Sequence, residues 1–173
     1  MKKILSLLAI SVFASVSLFA QSSRIVGQWS SSAGAQTAML EAMGGKLEEA
    51  VSIMTFNEDG KSEIYSKVKS IVEVSGIEMT MVMEIMEHDT WTCDNNILHL
   101  TVNDIEVIEL EITFSDPSLN ETGDIVEDNM KAAFDQQIGA SLEYDIKFVT
   151  DDLVNIVFDQ NGSILEYTLT RIK

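Results

Sequence analysis

A single cysteine, Cys93, is all the chain has. No disulfide can form within one molecule, so an apolar core must hold the structure together. There is one proline, Pro117, and no Ser/Gly-rich linker divides the 173 residues, which read as one domain. Basic residues are scarce: 11 Lys and Arg stand against 28 Asp and Glu, for a formal net charge of −17. A surface of that sign repels phosphate backbones and anionic lipid heads, which excludes nucleic acid as a partner. It favours solubility and leaves room for a cationic or protein partner. The acids are spread along the chain rather than gathered in a tail, as a solvated exterior would have them.

Apolar runs long enough to span a bilayer are also missing beyond the first residues. Met1-Lys2-Lys3 leads into an apolar stretch over 4–19, and the small Ala20 precedes polar Gln21-Ser22-Ser23. This pattern predicts a secretory signal peptide over 1–20, cut after Ala20, although Leu18 stands where a small residue is preferred. The stretch is short and Ser-rich for an anchor, and no cysteine follows it to carry a lipid. Cleavage removes two lysines and no acid, taking the charge from −17 to −19. The working domain is then 21–173, secreted or periplasmic, with no integral membrane segment.

What the chain does have is period-two alternation, the mark of half-buried strands. Ile77-Glu78-Met79-Thr80-Met81-Val82-Met83-Glu84-Ile85 puts apolar residues at every odd position, and the segment 64–74 puts apolar and small ones on even positions. Ser75-Gly76 between them predicts a tight hairpin. The second of these strands ends near Trp91, and further strands are expected over 24–30, 50–56, 97–102, 105–114, 142–149, 153–158 and 163–172. The turns between them are Asn57-Glu58-Asp59-Gly60, Asp94-Asn95-Asn96, Asn103-Asp104 and Asp159-Gln160-Asn161-Gly162. The apolar parity slips between Val107 and Ile108, which predicts a bulge. Two stretches break the pattern. Residues 33–49 are rich in helix formers, and 124–138 have apolar residues near helical spacing, with Gly139 as a stop. The expected fold is all-β: an antiparallel up-and-down barrel of about 8–10 strands with two short helical insertions, closed so that no edge is left open.

One pairing of features points to a family. Gly27-Gln28-Trp29 lies in the first strand and Tyr167-Thr168-Leu169-Thr170-Arg171 ends the last. A Gly-x-Trp at one end of the chain with an arginine at the other resembles the lipocalin superfamily, and more closely the exported lipocalin-like domains of Bacteroidota. The resemblance implies that Trp29 closes one end of the barrel with Arg171 packed across its ring. The residues agree, because Leu165, Tyr167, Leu169 and Arg171 share one strand face. An inward arginine needs a partner, and a ring can supply one.

The candidate barrel lining comprises Ser66, Ser70, Met79, Met81, Met83, Tyr144 and Tyr167. Flexible methionines beside small serines could line an adaptable cavity or fill the barrel as core. His88, Cys93 and His99 are near in sequence but fit no zinc pattern, and the acidic turns lack calcium-loop spacing, so neither a metal nor a cofactor is expected. No Gly-x-Ser-x-Gly is present, and a lone exported cysteine is more often a small buried apolar group than a nucleophile. The expectation is a binding protein, not an enzyme, holding a small apolar molecule in the barrel. The alternative is a filled barrel that docks a protein partner through its acidic exterior.

Overall fold

Alternating segments become strands because each buries one face and leaves the other in water. A computed structural model describes residues 23–31, 45–160 and 163–173. The expected signal peptide and residues 33–44 of the first expected helix lie outside the described residues. Eight strands run in order: β1 (Gly27–Ser31), β2 (Gly45–Phe56), β3 (Lys61–Val74), β4 (Ile77–Asp94), β5 (Ile97–Phe114), β6 (Ser141–Thr150), β7 (Leu153–Gln160) and β8 (Ser163–Arg171). Each pairs antiparallel with the next, and β8 pairs with β1, so the sheet closes into an up-and-down barrel.

Two tight turns carry the long hairpins. Ser75 and Gly76 sit at φ 55° and 81°, and Asn95 and Asn96 at 50° and 65°. Two successive positive φ values give the turn whose twist matches paired strands, and Gly and Asn tolerate them best.

Three expectations need correction. Residues 45–49 are not helical but open β2, with Leu47 opposite Ser70 and Glu49 opposite Lys69. Helix propensity there yields to a partner strand, and Glu48 is the extra residue of a bulge. Asn103-Asp104 is not a turn. β5 runs through it, and because Asp89 pairs Val102 while His88 pairs Asp104, Asn103 is a bulge residue. The strand expected from Ile77 to about Trp91 is present as β4. Finally, 23–25 is a helical turn, so the first strand begins only at Gly27. The bulge expected near Val107 is present: Glu84 faces Glu109 and Ile85 faces Val107, leaving Ile108 over.

The second expected helix is α1 (Asn120–Gln137), entered through a 3-10 turn at Pro117–Leu119 that Asp116 caps at the Ser118 N–H. β6 pairs only with 97–101 of β5, so the far half of β5 has no strand beside it. α1 takes that edge. The Ile112 N–H donates to Glu127 Oε1 at 2.8 Å, and past the helix Val102 exchanges backbone hydrogen bonds with Gly139 and Ala140. An unpaired edge is a template for aggregation, and a covering helix removes it. Among the described residues no helix is long and apolar enough to cross a membrane.

Candidate ligand cavity

One end of the barrel is shut by side chains from opposite ends of the chain. Trp29 is fully buried, and its indole N–H donates to the Ile25 carbonyl at 2.6 Å. The Arg171 guanidinium carbon lies 4.1 Å from the centroid of the Trp29 ring, in register with it across the β1–β8 pair. Three carbonyls accept from the same guanidinium: Val26 at 2.7 Å, Arg24 at 2.6 Å and Asp151 at 3.1 Å. An inward arginine is costly unless its donors are used, and here they are. Phe56 packs edge-on to Trp91 at 5.6 Å and widens this plug.

Beyond the plug the barrel is hollow. A cavity of about 460 Å³ is walled on the β5–β8 side by Leu98, Leu100, Leu142, Ile156, Phe158 and Leu169. The β1–β4 side adds Met54 and Ile64 with polar Ser31, Ser52, Ser66 and Glu87. Tyr144 and Tyr167 face in from β6 and β8, and Gln137, at the end of α1, reaches the same space. A second hollow of about 120 Å³ shares Ser31, Ser52 and Ser66 and adds Met83 and Ile85. Apolar walls with a few convergent polar groups are the usual make-up of a small-molecule site.

Of the residues expected to line the barrel, Ser66, Tyr144 and Tyr167 meet at the main cavity and Met83 at the smaller one. Ser70, Met79 and Met81 line neither. Met81 sits opposite buried Ser70 and Ile112, on the inward face but beyond the level at which β1, β6 and β8 complete the barrel. Parity puts a residue on the right face; it does not say how far along the axis the cavity extends. His88, Cys93 and His99 do not converge. His88 and His99 lie on the outer face beside Glu63 and beside Asp94 and Glu143, whereas Cys93 is buried inside. Burial pushes the Cys93 thiol up to about 11, with Asp94 adding to it, so the group is protonated at neutral pH.

Two carboxyls that alternation over 77–85 did not reach lie inside. Glu87 lines the cavity, and Asp89, two residues on along the same face of β4, is 2% exposed. Neither Asp89 carboxylate oxygen has a hydrogen-bond donor among the described residues, nor does the hydroxyl of Ser62, its register partner on β3. The two carboxyls are near enough to interact electrostatically. Two buried acids this near each other resist ionising together. Burial first, and then the charge of Glu87, raises the Asp89 carboxyl to about 8; burial also raises Glu87. Burial and these same acids keep the Tyr144 hydroxyl protonated well above its ordinary range.

These features define a closed antiparallel barrel, plugged at one end, with an internal cavity of ligand size. No protein-family model matches the chain, and no curated protein matches it.

Proposed function

We propose that this chain is an exported lipocalin-like binding protein that holds a small, mainly apolar molecule inside its barrel. The observation that carries the reading is the cavity of about 460 Å³ within the barrel. Such a volume suits a small ligand and is what favours this reading over a filled barrel that docks a partner. The Gly-x-Trp and terminal-strand arginine, which stack as that superfamily's pattern implies, support the lipocalin-like assignment. The basic-then-apolar segment over 1–20 supports export to a secreted or periplasmic location. Native mass spectrometry of protein purified from its own host tests the reading. The expected result is a co-purifying small molecule lost on unfolding. A bare mass, together with no binding of a fluorescent apolar probe, would overturn it.

A further inference from the structure

The cavity has a charged feature that a purely apolar ligand would leave unused. Glu87 opens onto it and Asp89 stands behind, each oxygen of Asp89 lacking a donor, with the Ser62 hydroxyl equally unmatched. Buried acceptors without donors are costly, and stable proteins retain few of them. No Lys, Arg or His among the described residues lines the cavity, so none of these residues supplies a counter-charge there. Ser62 on β3 is the register partner of Asp89, the Tyr144 hydroxyl on β6 lies near both acids, and Tyr167 on β8 lines the same cavity.

We propose that the cavity takes a small apolar molecule bearing a protonated amine, whose ammonium group docks on the Glu87–Asp89 carboxyl pair. The inference rests on the ligand-binding reading above and names the class of ligand. An ammonium offers three N–H donors and no acceptor, which matches carboxyl oxygens that lack donors. Its charge takes the place of the proton that burial keeps on Asp89, so both carboxyls ionise around it and one proton leaves to solvent. The apolar remainder lies against Leu98, Leu142 and Ile156. A carboxylate-headed ligand of the same length is repelled by the pair. A divalent cation is served poorly, because no group of three acidic, His or Cys side chains able to hold a metal occurs among the described residues.

Isothermal titration of the full chain at pH 7 with n-octylamine, n-octanol and octanoate tests the proposal. Octylamine should bind at least ~10-fold tighter than octanol, the least that one charge-assisted contact provides, and octanoate weakest. The observed enthalpy for octylamine should differ between phosphate and Tris buffers by an amount that reports close to one proton released. Glu87→Gln should reduce the amine-over-alcohol preference to less than ~3-fold and remove the buffer dependence. Octanol binding as tightly as octylamine would overturn the proposal while leaving the cavity reading intact. Binding of none of the three would overturn both. Should Glu87→Gln fail to fold, the buffer dependence of the unmodified chain decides: tight amine binding without proton release would place the head group elsewhere.

Discussion

Gly27 stands two residues before Trp29 because of Arg171. Its φ of +123° suits glycine, and a Cβ there would lie 2.6 Å from an Arg171 guanidinium nitrogen. The Gly-x-Trp spacing was thus legible as one unit: the glycine leaves the room that the arginine fills over the ring. Because Trp29 is fully buried, Trp29→Ala should lower stability by about 3–5 kcal/mol in chemical denaturation, and a change within error would mean the ring is not core. Glu87 and Asp89 were less legible. They share odd parity with Ile85, Trp91 and Cys93, yet an acid breaks an apolar row and reads as its end. Followed by position alone, the row would have placed both inside. Their cost to the fold depends on pH. Asp89 is raised from 3.8 to about 8, so between those values the folded chain holds a proton that the unfolded chain has lost, and stability falls as pH rises. Below that window both states are protonated and the penalty is absent; above it the penalty is constant. Asp89→Asn escapes it, and should melt higher than the unmodified chain at pH 8 by at least ~2–4 °C, with the gap closing towards pH 4. A gap that does not change over that range would mean that another group titrates.

Elements were most legible where one signal acted alone, as in the 64–74 and 77–85 hairpin, whose turn and parity agree. They were least legible where local chemistry admits two outcomes. Asn and Asp favour turns, but they also tolerate the irregular backbone of a bulge, and only the unbroken partner β4 decides that Asn103 bulges. Residues 45–49 have helix-forming side chains, but β3 offers them a ladder. α1 was legible from its spacing, although its task was not, since the open edge of β5 exists only once β6 pairs with 97–101 alone. The closeness of that contact is testable. A Cβ on Gly123 would lie 2.5 Å from the Ile112 carbonyl oxygen, which is backbone and cannot swing aside. Gly123→Ala should therefore cost about 1–3 kcal/mol as overpacking, despite the ~1 kcal/mol that alanine contributes in an ordinary helix. Amide exchange at Ile112 should quicken in the same variant, because the Glu127 bond that shields its N–H moves with the helix. A gain in stability would show that the helix does not sit against β5.

At the scale of the molecule, closure came through in the sequence and the hollow did not, because alternation reports which side faces in and not how much space is left there. Ser66 borders both hollows, so Ser66→Trp should fill the junction and reduce binding of a fluorescent apolar probe by at least ~10-fold, with the far-UV circular dichroism unchanged. Undiminished binding would put the probe on the outer surface. The seam that closes the barrel is short: Trp29 to Ser31 against Leu169 to Arg171. The same arginine also ties the seam to Val26, 145 positions away in sequence. A chain that emerges from a ribosome or a translocation channel amino-terminus first therefore presents Trp29 long before the residue that shelters it exists. Until the last strand arrives, β1 has a ladder on one side only and the indole stays accessible. Arrival of β8 is thus a completion signal, and shielding of Trp29 during synthesis should come as one late step, after the β2–β5 meander that buries Trp91 has already formed.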